Sequence, residues 1–157
     1  MTLTVGELVP PITLPDQSGE SKPLPAWSGV KGMVLYCYPK DATPGCTTEA
    51  REFQGLLGRF HALGWQVVGL SRDSVASHER FCDKQGLSFP LLSDGDGEAT
   101  SALGVWQEKI HCGKASMGIV RTTFLVGADG RILKLYPKVK ASGHAAVVLA
   151  DVEAMAG

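Results

Sequence analysis

Cys46 stands in Pro39-Lys40-Asp41-Ala42-Thr43-Pro44-Gly45-Cys46-Thr47-Thr48-Glu49, between an apolar run and a helix-like pattern. A strand therefore hands a cysteine to a helix N-terminus through a Pro/Gly turn. The thiolate is the reactive form of cysteine, and both the unsatisfied N–H groups and the positive end of a helix dipole favour it. Attack by a thiolate on an electrophile is the chemistry this placement serves. Thr43, three residues upstream, offers a hydroxyl that can both donate and accept, as orienting an O–O bond requires. Pro39 and Pro44 would shape the loop and shield the sulfur from water, and the Pro44-Gly45 turn would expose backbone N–H groups. Glu49 falls in the first turn, where it either organises a polar network or complements the dipole. Arg121 precedes a strand-like apolar run, and a guanidinium beside a thiolate would stabilise its charge.

The elements that must hold these residues follow from hydrophobic period and punctuation. Residues 12–14 are expected as a short strand, with a turn at 16–19 leading to a second strand of an N-terminal hairpin. The continuous apolar run 33–38 is a buried central strand. A helix is expected from 47 to about 63, with Phe53, Leu56, Leu57, Phe60 and Leu63 on one face and Gly64 ending it. Strand 66–71, a polar helix 74–85 closed by Gly86, and strand 89–92 follow. Next come a turn at 93–97 and a short helix reaching 103. Strands 122–126 and 132–136 flank an Asp129-Gly130 hairpin signal. A last helix after Gly143 carries Val148, Val152 and Met155 on one face. Strands alternating with helices, then a hairpin, give an α/β fold of thioredoxin-like arrangement, with a mixed central sheet and helices on both faces.

Composition narrows the function. The chain has 157 residues, 44% of them apolar, and a net charge of −1. One domain spanning 1–157 is expected. No basic stripe points to nucleic acid, and no apolar run is long enough to span a membrane. No signal-peptide pattern opens the chain, so a cytoplasmic location is expected. The four cysteines, Cys37, Cys46, Cys82 and Cys112, include no CxxC, and the four histidines are scattered without metal-ligand spacing. No metal site is expected.

The blocks YPKDATPGCTTE and MGIVRTTFLV, with LPDQSG and LLSDGDGEATSALGVW, closely resemble the peroxiredoxin Q / bacterioferritin comigratory protein group of peroxiredoxins. The family pattern P-x-x-x-T-x-x-C is matched by Pro39, Thr43 and Cys46, and the family's later arginine by Arg121. The resemblance implies a thioredoxin-fold peroxidase for hydrogen peroxide and alkyl hydroperoxides, needing no metal, haem or flavin. Cys46 would be peroxidatic and become a sulfenic acid. Thr43, Arg121 and the Cys46 N–H would hold the peroxide oxygens. Many members carry a resolving cysteine five residues after the peroxidatic one, and here that position is Arg51. Other members place it in the later helix, which implies Cys82. Cys112, in a Gly-containing loop, is the rival, and Cys37 is expected as inert core. Thioredoxin is the expected reductant, with glutaredoxin or glutathione as other donors. An intramolecular disulfide suits a monomer. A one-cysteine peroxidase, a thiol–disulfide oxidoreductase and a peroxide sensor are the alternatives.

Overall fold

The computed structural model describes residues 2–156. β1 (Thr13–Pro15) and β2 (Ser21–Pro23) form the expected antiparallel N-terminal hairpin. Its turn is set by Asp16, whose Oδ1 accepts from the Ser18 and Glu20 N–H groups. A 3-10 turn, Leu24–Trp27, leads to β3 (Gly32–Cys37). Then follow α1 (Pro44–Ala62), β4 (Trp65–Ser71), α2 (Val75–Gln85), β5 (Leu91–Ser93) and α3 (Glu98–Leu103). β6 (Trp106–His111), β7 (Lys114–Ile119), β8 (Thr122–Gly127), β9 (Ile132–Tyr136) and α4 (His144–Ala156) complete the chain.

The central sheet runs β5-β4-β3-β8-β9. β3 pairs parallel with β4 and antiparallel with β8, so the sheet is mixed as expected. Every residue of β3 is buried, which explains its unbroken apolar sequence. Alternate side chains of β3 feed two cores. Val34 and Tyr36 face α1, α2 and α4 through Phe53, Phe60, Phe81 and Val148. Met33, Leu35 and Cys37 face α3, the 3-10 turn and the β6–β7 hairpin through Leu103, Trp27 and Ile119. Cys46 and Cys82 both lie in the first of these clusters.

Three differences from the sequence expectation matter. α1 begins at Pro44 rather than 47, because proline is pre-organised for the first helical position and needs no N–H partner there. The segment carrying Cys112 is a β-hairpin rather than an open loop: Cys112 and Gly113 both take positive φ (52° and 77°), the backbone of a two-residue hairpin turn. On α4, Val148 and Val152 are buried but Met155 is 44% exposed, so the apolar face is shorter than its pattern suggests. Among the described residues, no helix is long and apolar enough to cross a membrane.

Candidate active site

Because α1 starts at Pro44, Cys46 is its third residue, and Thr43 is the N-cap in extended conformation (φ −80°, ψ 154°). The first intrahelical bond of this turn runs from the Thr47 N–H to the Thr43 carbonyl (2.9 Å). Pro44 has no N–H, so the Gly45 and Cys46 N–H groups are the ones this helix start leaves without an intrahelical acceptor. They present donors beside a sulfur that is itself buried. Thr43 does not cap the helix with its side chain. Its hydroxyl donates instead to the Lys40 carbonyl (2.9 Å), which leaves the oxygen lone pairs free to accept. Pro39 is half-buried just beyond β3, while Pro44 is exposed.

Arg121, between β7 and β8, reaches across to this helix start. Its Nη2 donates to Cys46 Sγ (3.4 Å) and its Nη1 donates to Glu49 Oε1 (2.6 Å). One guanidinium thus bridges two residues one helical turn apart. Gly45 makes the approach tolerable: a Cβ there would sit 3.2 Å from Arg121 Nη2. Glu49 is fully buried, and its Oε2 has no hydrogen-bond partner. Burial pushes its carboxyl up to about 7, against the opposing pull of Arg121. The sequence offered two roles for Glu49, and the geometry assigns it the network role.

The other cysteines separate clearly. All four are free thiols. Cys37 is wholly inside β3, and burial pushes its thiol far up, which fits an inert core residue. Cys82 is buried on α2, where burial pushes its thiol up to about 12. Cys112 is exposed at the tip of the β6–β7 hairpin.

Several residues here escaped the sequence reading. Lys109 on β6 packs over Gly118, where a Cβ would meet its Cδ at 3.1 Å. Burial, then the Arg121 charge, lower the affinity of its amine for a proton, and the Cys46 charge opposes them. Asp41, Tyr38 and His78 form a buried polar cluster behind the loop. Tyr38 donates to Asp41 Oδ1 (2.6 Å), and His78 Nδ1 lies 2.7 Å from Asp41 Oδ2. Asp41, Asp73 and His78 place ligand-type atoms within 4.8 Å of one another. Those atoms are already hydrogen-bonded among themselves and to Tyr38, Ser71 and Ser77, which makes the group a poor metal cage. A YPKD motif and an SHERFC motif distant in sequence give no signal that their Asp and His meet.

The AhpC/TSA family model matches residues 5–135. The chain belongs to the AhpC/TSA family. It is 50% identical over 124 residues to peroxiredoxin Bcp of Xanthomonas campestris pv. campestris, covering 79% of this chain and 78% of that protein. It is 41% identical over 155 residues to peroxiredoxin Bcp of Bacillus subtilis, covering 99% and 98%. A structure of Xanthomonas campestris bacterioferritin comigratory protein, concerned with its alkyl peroxide reduction activity, superposes with a TM-score of 0.90. The identity is 43%, over 99% of this chain and 100% of that one. A cysteine-to-serine mutant of Xylella fastidiosa PrxQ gives a TM-score of 0.93 at 39% identity, over 100% and 99%. Two further cysteine-to-serine mutants of Xanthomonas campestris peroxiredoxin Q have been solved, and the two mutated cysteines are separated by the same number of positions as Cys46 and Cys82. The chain is therefore a peroxiredoxin of the Bcp / peroxiredoxin Q type, a peroxidase that consumes peroxide at the expense of a thiol reductant.

Proposed function

We propose that Cys46 is the peroxidatic cysteine, that Cys82 resolves it within the same chain, and that thioredoxin recycles the resulting disulfide. The observation that carries this reading is the Arg121 fork, with one nitrogen on Cys46 Sγ and the other on Glu49. Negative charge at the sulfur is stabilised by that guanidinium and by the helix start. The Cys46 thiolate attacks one peroxide oxygen, so an S–O bond forms and the O–O bond breaks. The departing alkoxide or hydroxide takes up the proton that the thiol released, and leaves as alcohol or water. Thr43, its own proton turned to the Lys40 carbonyl, accepts from the peroxide O–H. Arg121 and the Gly45 and Cys46 N–H groups face the charge that grows on oxygen.

In the second step Cys82 sulfur attacks the sulfenic sulfur. The S–S bond forms, the S–O bond breaks, and hydroxide leaves as water with the Cys82 proton. A dithiol then returns two electrons through exchange. The shared cysteine spacing with the mutated Xanthomonas protein supports Cys82, as does its place in the same core cluster as Cys46. Hydrogen peroxide and alkyl hydroperoxides are the proposed substrates, by similarity to the Xanthomonas protein. The proposed state is a monomer, since resolution within one chain needs no partner, in a cytoplasmic setting.

The test is peroxide consumption coupled to NADPH through thioredoxin and its reductase, with hydrogen peroxide and cumene hydroperoxide. Turnover of both is expected with wild-type protein and none with Cys46→Ser. Turnover with glutathione and glutaredoxin but not thioredoxin would overturn the assigned reductant.

A further inference from the structure

His78 is wholly buried, yet both ring nitrogens are engaged. Nδ1 lies 2.7 Å from Asp41 Oδ2, and Nε2 lies 3.0 Å from the Leu92 carbonyl oxygen. Both partners are acceptors. The Asp41 carboxylate also receives the Tyr38 hydroxyl (2.6 Å) and the Ser77 hydroxyl (2.8 Å). The ring thus spans a carboxylate on the loop and a carbonyl on β5. Asp41 belongs to the loop that leads into Cys46. His78 sits on α2 one helical turn before Cys82, on the same face. The cross-link thus ties the peroxidatic loop to the helix that holds the resolver. α2 is consequently better anchored than its polar sequence suggests, with His78, Phe81 and Cys82 all buried.

We propose that Asp41 and His78 are positioning residues for the resolving step. Their hydrogen bond keeps α2 folded against the peroxidatic loop while peroxide reacts, and its release frees Cys82 to reach the oxidised Cys46. The proposal rests on Cys82 being the resolver. The proposal includes local unwinding of α2 at Cys82 before the S–S bond forms, since each sulfur is buried on its own helix. Unwinding α2 at Cys82 withdraws His78 from Asp41.

Other elements complete the seam around this contact. Tyr38, just beyond β3, contributes its buried hydroxyl. The β4–α2 connection contributes Asp73, which accepts from the Asp41 N–H (2.9 Å). α2 contributes Cys82, and β5 the Leu92 carbonyl. A cleft of about 300 Å³ opens along this seam, with Lys40 on the loop facing Arg80 and Lys84 on α2.

Opening of α2 can be read without turnover. In a Cys46→Ser, Cys112→Ser background, Cys82 alkylation by iodoacetamide is followed by peptide mass spectrometry and divided by the rate of a free model thiol at the same pH. In His78→Gln the normalised rate should rise about tenfold, the loss of one buried hydrogen bond. Asp41→Asn should behave the same way and serves if His78→Gln fails to fold, and the double variant should add nothing to either single one. An unchanged rate in the folded variants, or fully additive rises, would overturn the proposal. A failed resolver shows separately, as a peroxide-induced disulfide that leaves out Cys82.

Discussion

Replacing Arg121 with alanine removes two contacts at once: the 3.4 Å donation to Cys46 Sγ and the 2.6 Å pair with Glu49. The first bears on rate. A hydrogen bond to a charged group contributes roughly 1.5–3 kcal/mol. Losing it where charge gathers slows Cys46 oxidation roughly 10- to 150-fold. The second bears on where Glu49 keeps its proton. The carboxyl is fully buried and already pushed up to about 7, so without the guanidinium it stays neutral rather than forcing the helix apart. The fold should survive. The assay is single-turnover stopped flow with limiting hydrogen peroxide, quenched and read by mass for sulfenic acid. Reduction of the preformed disulfide by a dithiol should be unchanged. A double-mutant cycle sharpens the reasoning. Glu49→Gln should slow oxidation in wild type, because Arg121 exchanges a charged acceptor for a weaker neutral one, and should add nothing in Arg121→Ala. A fall in oxidation rate of less than about threefold in a folded Arg121→Ala protein, measured against the hydrogen-bond scale above, would refute the role given to the guanidinium. Fully additive losses would refute the claim that Glu49 acts through it.

Three other perturbations test separate parts of the account. Cys82→Ser should leave the first oxidation intact but lose thioredoxin-linked turnover and accumulate sulfinic Cys46 under excess peroxide, whereas Cys112→Ser should do neither; intact-mass measurements after peroxide treatment decide. Gly45→Ala should hold or raise thermal stability, since alanine favours a helix by up to about 1 kcal/mol, while slowing Cys46 oxidation because the new methyl crowds Arg121 at 3.2 Å. An unchanged oxidation rate would contradict that crowding. His144, held by Thr123 (2.9 Å), is lowered from 6.5 to about 4 by burial and then by the Arg121 charge. The unfolded chain binds the extra proton in that window, so stability is lost as pH falls from about 6.5 to 4, by about 3 kcal/mol at most. Thermal melts of wild type and His144→Gln should diverge over that range, and parallel curves would contradict the shift.

The parts of this molecule legible in sequence are those governed by local rules. The unbroken apolar stretch of β3, the Ser74 and Gly86 that bound α2, and the Asp129-Gly130 turn each carry their own physics. Ser74 indeed caps α2 through its hydroxyl, and Gly86 takes the left-handed conformation that ends it. The β6–β7 hairpin was hidden because Cys112 supplies a positive φ where glycine or asparagine is the usual signal. At the site, motif spacing points to Cys46, Thr43 and Arg121 but not to their bonding. That the Thr43 proton is turned to a carbonyl, and that Arg121 forks onto Glu49, depends on β7–β8 reaching α1 across the sheet. The Asp41–His78 pair is a tertiary contact between a loop and a helix, so no periodicity announces it.

The central claim is that Cys46 and Cys82 form the catalytic couple. The direct measurement treats reduced protein with one equivalent of hydrogen peroxide, then maps disulfides by non-reducing peptide mass spectrometry. The account predicts a Cys46–Cys82 link within one chain. A Cys46–Cys112 link, or Cys46 recovered solely as sulfenic or sulfinic acid, would contradict it.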